Sequence, residues 1–186
     1  MDEVSERRKN LARKVFDKSN LKGHFLLRSG VVSDEYFDKY LVEADPVLLR
    51  EIAEAMRASI PQDTDALAGL EMGGIPIATV LSQITGIPAL FVRKKAKEYG
   101  TCKLAEGGEV AGRRLVIIED VVTSGGQILE SARALRELGA RIVGVLCVID
   151  RESGGAEKLA ADGLELHPLF TMSELKKAAA SSTGAP

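Results

Sequence analysis

The hydrophobic pattern of the chain changes period several times, and each change marks an element. Over residues 46–60 the apolar positions Leu49, Ile52, Ala53, Met56 and Ile60 recur at the spacing of one helix face. Asp45 is placed to cap that helix and Pro46 to occupy its first position. An apolar run at Ala66–Leu70 predicts a strand; a turn at Met72-Gly73-Gly74 and a second helical pattern over Ile75–Ile84 follow it. Further strands are predicted at Ala89–Val92, Leu115–Ile118 and Ile142–Ile149, with a helix over Gln127–Leu138 closed by Gly139. Alternating strands and helices predict an α/β fold, a mainly parallel sheet flanked by helices. The whole of 1–186 is expected to form a single domain, with a core over about 45–150. The segment 1–40 and part of 150–186 lie outside the repeating unit and are expected to form a small hood. The closing AAASSTGAP reads as a frayed tail.

The residues directly after the predicted strands carry the chemistry. Glu71-Met72-Gly73-Gly74, Arg93-Lys94, Glu119-Asp120 and Asp150-Arg151 all stand there. In a parallel sheet these segments meet at one edge, where open α/β sheets bind their ligands. Glycines and charges gathered at that edge suggest an anionic substrate with a metal. Within LVIIEDVVTSGGQ, residues 115–127, the turn Thr123-Ser124-Gly125-Gly126 would offer amides and hydroxyls to a phosphate at the positive end of the following helix. No lysine follows the glycines and the GxxxxGK[ST] spacing is missing, which disfavours a nucleotide-hydrolysing P-loop. Glu119 and Asp120 precede this cradle, where carboxylates would accept from a sugar diol or hold a hydrated Mg²⁺.

Composition narrows the partners. A net charge of −2 and a pI near 5.8 give no global attraction to nucleic acid or to an anionic membrane. The apolar stretches fall far short of the roughly 20 residues of a membrane span, and MDEVSERRKN lacks a signal-peptide core, so a cytoplasmic protein is expected. Cys102 and Cys147 read as free thiols, and His24 and His167 as structural or incidental. Arg93, Lys94, Lys95, Lys97 and Lys103 face a single acid, Glu98, in a connection of some 20 residues. A usual connection has about 4 to 6, so this basic stretch suggests a mobile lid.

With its two acids and small-residue loop, LVIIEDVVTSGGQ resembles the phosphoribosyl pyrophosphate (PRPP) motif of type I phosphoribosyltransferases. Three more segments are similar to orotate phosphoribosyltransferases in particular: LLRSGVVSDEYFDKY at 26–40, VRKKAKEYGTCKLAEGG at 92–108 and IDRESGG at 149–155. The resemblance implies a type I phosphoribosyltransferase fold and the conversion of orotate and PRPP to orotidine 5′-monophosphate and pyrophosphate, a step of UMP biosynthesis. It assigns PRPP binding to Arg93, Lys94, Lys97, Glu119, Asp120, Val121, Val122, Thr123, Ser124, Gly125, Gly126 and Gln127. Orotate falls to Thr123, Arg151, Tyr36, Phe37 and Arg28, the guanidinium fork of Arg151 suiting a planar acid. Lys97, which would stabilise the leaving pyrophosphate, and Glu119 and Asp120, which would hold the ribose hydroxyls, are the expected catalytic residues. Mg²⁺ would be held mainly by PRPP, with no certain direct protein ligand. A homodimer is implied too, the loop 93–108 of each subunit closing over its neighbour's site. Three positions depart from relatives: Tyr99 stands where some carry histidine, Arg28 where several carry lysine, and Gly73 where some place a PRPP-binding lysine. The rival readings are a phosphoribosyltransferase for another base, which the hood and Arg151 would distinguish, and a non-enzymatic PRPP-sensing regulator, which would need an effector surface or a nucleic-acid domain.

Overall fold

A computed structural model describes residues 3–26, 30–96 and 103–181. The chain opens with helix α1 (Glu3–Ser19), an antiparallel ribbon of β1 (Asn20–Leu26) and β2 (Val32–Phe37), and the short helix α2 (Tyr40–Glu43). Helix α3 (Pro46–Met56) begins where the sequence predicts: the Asp45 carboxylate accepts from the amides of Val47 and Leu48, each at 3.1 Å. It ends before the predicted Ile60, because the last turn, Arg57–Ser59, tightens into a 3-10 turn. Ile60 is extended ahead of Pro61, whose ring disfavours a helical residue before it.

The main sheet is built from β3 (Ala66–Leu70), β4 (Ala89–Val92), β5 (Ala105–Glu106), β6 (Arg114–Val122), β7 (Arg141–Asp150) and β8 (Leu166–Thr171), in the order β5-β4-β3-β6-β7-β8. All neighbours run parallel except β5, which lies antiparallel against β4 at one edge. Two expectations need correction. Glu119 and Asp120 lie inside β6 and not after it, since β6 stays paired with β7 as far as Val122 opposite Asp150. Part of the expected lid is sheet: Ala105 and Glu106 pair with Val92 and Phe91, and Ala105 and Val110 are buried. Beyond Asp150, β8 pairs with β7 and so extends the main sheet.

Strand alternation sends successive side chains of β6 to opposite cores. Val116 and Ile118 pack on one face with Leu11 and Val15 of α1, Ile52 of α3, and Ile77 and Leu81 of helix α4 (Gly74–Thr85). Leu115 and Ile117 pack on the other with Ile128 and Leu135 of helix α5 (Gly126–Glu137) and Leu159 of helix α6 (Gly155–Ala161). Helix α7 (Met172–Ala180) returns to the first face through Leu175. Among the described residues no helix is long and apolar enough to cross a membrane.

From β3 the chain moves outward to β4, then returns to the other side of β3 as β6. The helices after β3 and β6 lie on opposite faces, so a crevice opens between the carboxyl ends of these two strands. Glycines let α4 begin against it. A Cβ at Gly74 would lie 2.1 Å from the Ile118 carbonyl oxygen, and one at Gly69 would lie 2.7 Å from the Gly74 carbonyl oxygen. Gly74→Ala should therefore lower stability by about 1–3 kcal/mol, the range for overpacking. Gly144→Ala, where the nearest atom is 3.7 Å away, should stay within about 0.5 kcal/mol in the same urea titration. Equal stabilities would show that α4 can shift freely.

Candidate active site

The crevice holds an open cleft of about 410 Å³, framed by Lys39 and Tyr40, the turn after β3, Lys94, and the run from Glu119 to Ile128. Its phosphate end follows from the start of α5. Gly125 has φ +69 and no side chain caps the helix, so the first-turn amides face the cleft with no side-chain acceptor from the chain itself. Thr123 and Ser124 are exposed beside them. Helix α6 seats closely under this loop because Gly155 has no side chain; a Cβ there would lie 2.7 Å from the Thr123 carbonyl oxygen.

Glu71 ties the upper rim together. Its amide donates to the Val92 carbonyl at 2.8 Å, its Oε1 accepts from the Lys94 amide at 2.6 Å, and its carbonyl accepts from Gln127 Nε2 at 3.1 Å. The ends of β3 and β4 and the start of α5 are thereby held together. Arg93 is half-buried, its Nε meeting no hydrogen-bond partner, while Lys94 is exposed.

The floor is a cluster of charge. Asp120 is 2% exposed and Glu119 8%. Asp120 Oδ1 accepts from the Val121 amide and Glu119 Oε1 from the Asp120 amide at 3.0 Å. Lys39, arriving from the start of α2, places its Nζ 2.5 Å from Asp120 Oδ2. Glu43 of α2 faces the same carboxylate, with its own Oε1 out of water and without a donor. Burial pushes the Glu119 carboxyl up to about 9, helped by its hydrogen bond and charge interaction with Asp120. Burial and then the charge of Asp120 raise Glu43 to about 8. Burial would raise Asp120 as well, but hydrogen bonds from Glu119 and Lys39 outweigh it and hold the group below its ordinary value. Burial lowers Lys39, and the hydrogen bond and charge of Asp120 reverse that. One carboxylate and one ammonium, flanked by two neutral acids, is the charge state that follows near neutral pH.

At the far end, the Arg151 amide donates to the Val122 carbonyl at 2.9 Å, and the guanidinium sits 5.8 Å from the Phe37 ring centre. Strand alternation turns Tyr36 to the opposite face of the ribbon, where its ring meets Phe25 at 5.5 Å. The structure brings Phe37 and Arg151 together, while Tyr36 packs on Phe25 instead. Val122 is buried under the loop, Val121 half-buried beside the cleft. Arg28 and Lys97 lie outside the described residues, as do Tyr99 and Cys102. Cys147 is a buried free thiol that burial pushes far up, and it has no part in the cleft. Lys39 and Glu43 carry no signal in the sequence that marks them as site residues, whereas Glu71 stands in the post-strand turn that the sequence already places at the ligand edge.

A family profile described as the phosphoribosyl transferase domain matches residues 43–168. The orotate phosphoribosyltransferase of a Nocardioides species is 58% identical over 158 residues, which cover 85% of this chain and 88% of that one. A crystal structure of Mycobacterium tuberculosis orotate phosphoribosyltransferase in complex with inorganic phosphate is 32% identical, covers 92% of this chain and 99% of its own, and superposes with a TM-score of 0.82. The same enzyme in complex with PRPP is 31% identical, covers 91% of this chain and 99% of its own, and gives 0.79. The parallel sheet with its flanking helices is thus the type I phosphoribosyltransferase fold.

The charge cluster has a measurable signature. Glu43 and Glu119 titrate higher folded than their ordinary value of 4.5, so the stability they contribute is complete below that value and drains away as pH rises through about 8 and about 9. Asp120 acts oppositely, its contribution lost only as pH falls below the ordinary 3.8. Urea denaturation of the ligand-free protein between about pH 5 and 9 should show stability declining with pH, and Glu43→Gln should flatten the part of the decline below about pH 8. Identical slopes would remove Glu43 from the cluster.

Proposed function

The chain belongs to the orotate phosphoribosyltransferase family, and we propose that it joins orotate to the ribose 5-phosphate of PRPP, releasing pyrophosphate, in the cytoplasmic synthesis of UMP. The observation that carries this is the buried Asp120 carboxylate lying beside the uncapped start of α5 in one cleft. A ribose diol and a 5′-phosphate need those two features side by side.

In this reading the Thr123–Gln127 loop holds the 5′-phosphate and Asp120 accepts from the ribose hydroxyls. Glu119 braces Asp120 through its backbone amide and side chain. Arg93, Lys94 and Lys97 meet the pyrophosphate, Lys97 stabilising it as it leaves. Arg151, stacked near Phe37, grips the orotate carboxylate with Thr123 beside it; Arg28 and Tyr36 belong to the same hood. No protein nucleophile is required, since positioning and charge neutralisation lower the barrier to displacement at C1′. Among the described residues no group of three or more His, Cys, Asp or Glu side chains could cage a metal. Mg²⁺ would be carried on PRPP, where it would neutralise pyrophosphate charge, with Asp120 and Glu119 as its outer partners. A positive group over an aromatic ring at the base end favours an acidic base over a neutral one, and so orotate over adenine or uracil.

A homodimer sharing the loop 93–108 is part of the proposal, supported by the exposed apolar side chains Leu26, Val31 and Val32 on the ribbon.

The expected activity is Mg²⁺-dependent orotate consumption with PRPP, followed by absorbance; equal turnover of adenine, hypoxanthine or uracil would reject it. Arg151→Lys should raise the orotate KM about tenfold and leave that of PRPP little changed, because an ammonium cannot replace a guanidinium fork. Asp120→Asn should cut kcat/KM on the order of a hundredfold. Mixing Lys97→Ala with Asp120→Asn subunits should restore up to about half the activity in a purified heterodimer, since one site escapes both defects. Verified heterodimers without rescue would mean that each loop serves its own subunit.

A further inference from the structure

Asp120 presents a single carboxylate to the cleft, and its Oδ2 is already taken by Lys39. That oxygen is shut off from solvent and, with the ammonium 2.5 Å away, has no partner in hydrogen-bonding geometry, so a ribose hydroxyl can reach it only if a neighbour moves. Asp120 is fixed: it is 2% exposed, built into β6, and its Oδ1 is engaged by the Val121 amide. Lys39 is free to move. Its side chain is 35% exposed, it stands at the first position before α2, and its Nζ also lies 5.1 Å from the exposed Tyr40 ring, within the same cleft. An ammonium displaced from its carboxylate in a partly buried site needs a new anion.

The loop after β3 adds a constraint. Asp120 fills the place where a side chain at position 73 would begin, because a Cβ on Gly73 would lie 1.7 Å from Asp120 Oδ2. No cation can enter from that loop while the carboxylate stays where it is. The cation beside that point is Lys39, delivered from the hood side instead.

We propose that Lys39 is a donor-binding residue that rests on Asp120 in the empty site and transfers to the pyrophosphate of PRPP when the ribose claims the carboxylate. The exchange keeps the charge of the cleft balanced at both stages. It makes a donor with a pyrophosphate group the ligand that can displace the lysine without stranding it. A sugar phosphate lacking pyrophosphate must displace Lys39 and give it nothing in return. The proposal rests on the PRPP reading above.

The two ligand types therefore respond to loss of the charge with opposite signs. Lys39→Met keeps the apolar stem and drops the ammonium. By calorimetry at one fixed Mg²⁺ concentration, it should weaken PRPP by about tenfold or more, the size of a lost charge-assisted hydrogen bond. Ribose 5-phosphate should bind as well as to the wild type, or more tightly, because its competitor for Asp120 is gone. Lys39→Arg should restore much of the PRPP affinity. Lys39→Gln, which can still donate to Asp120, serves the same comparison if the methionine variant does not fold. Equal weakening of both ligands would overturn the proposal, since a lysine that only shapes the ribose site predicts that result. Unchanged PRPP affinity would overturn it too. A wild-type protein that binds PRPP separates either failure from a failure of the donor assignment itself, which would show as no PRPP binding at all.

Discussion

At the centre of the molecule is a contact from which side chains are excluded. Helix α4 starts directly against β6, with Gly74 beneath the Ile118 carbonyl and Gly73 against the Asp120 carboxylate. A side chain at Gly74 would meet the β6 backbone and push the helix outward, and one at Gly73 would displace the Asp120 carboxylate. Close seating there fixes how far Glu71 reaches toward β4 and α5, and so sets the width of the cleft. The ligand site inherits its dimensions from a packing contact.

That seating also buries Asp120, and burial of a carboxylate has consequences that spread. A lone charge at 2% exposure is costly, and the molecule meets the cost with Lys39, while the two neighbouring acids stay neutral. The ion pair joins the N-terminal segment to the middle of the main sheet. Fold and electrostatics are therefore not separable at this point: the hood is held partly by the charge that the substrate would use.

What the sequence made legible was local. The Asp45 cap, the helix face of Ile52 and Met56 and the small-residue turn at Thr123–Gly126 each declare themselves within a few residues, and the structure places them as read. The acids Glu119 and Asp120 read as the end of β6, but pairing with β7 carries the ladder past them. Tyr36 and Phe37 are adjacent in a strand and so face opposite ways, which the strand period itself implies. Lys39 and Glu43 had no such signal. Their importance comes from proximity to Asp120, which only the folded chain creates.

Glu152 holds the left-handed φ of 57°, and its Oε2 accepts from the Ser173 amide at the start of α7. That helix is locked by the Thr171–Glu174 capping box, and Glu174 in turn is clamped by Arg8 of α1, whose guanidinium also covers the Phe170 ring. Arg151 thus stands at the tip of a strut whose other end is the first helix of the chain. A change that shifts α1 or α7 would therefore be felt at Arg151 through this brace, far from the cleft itself.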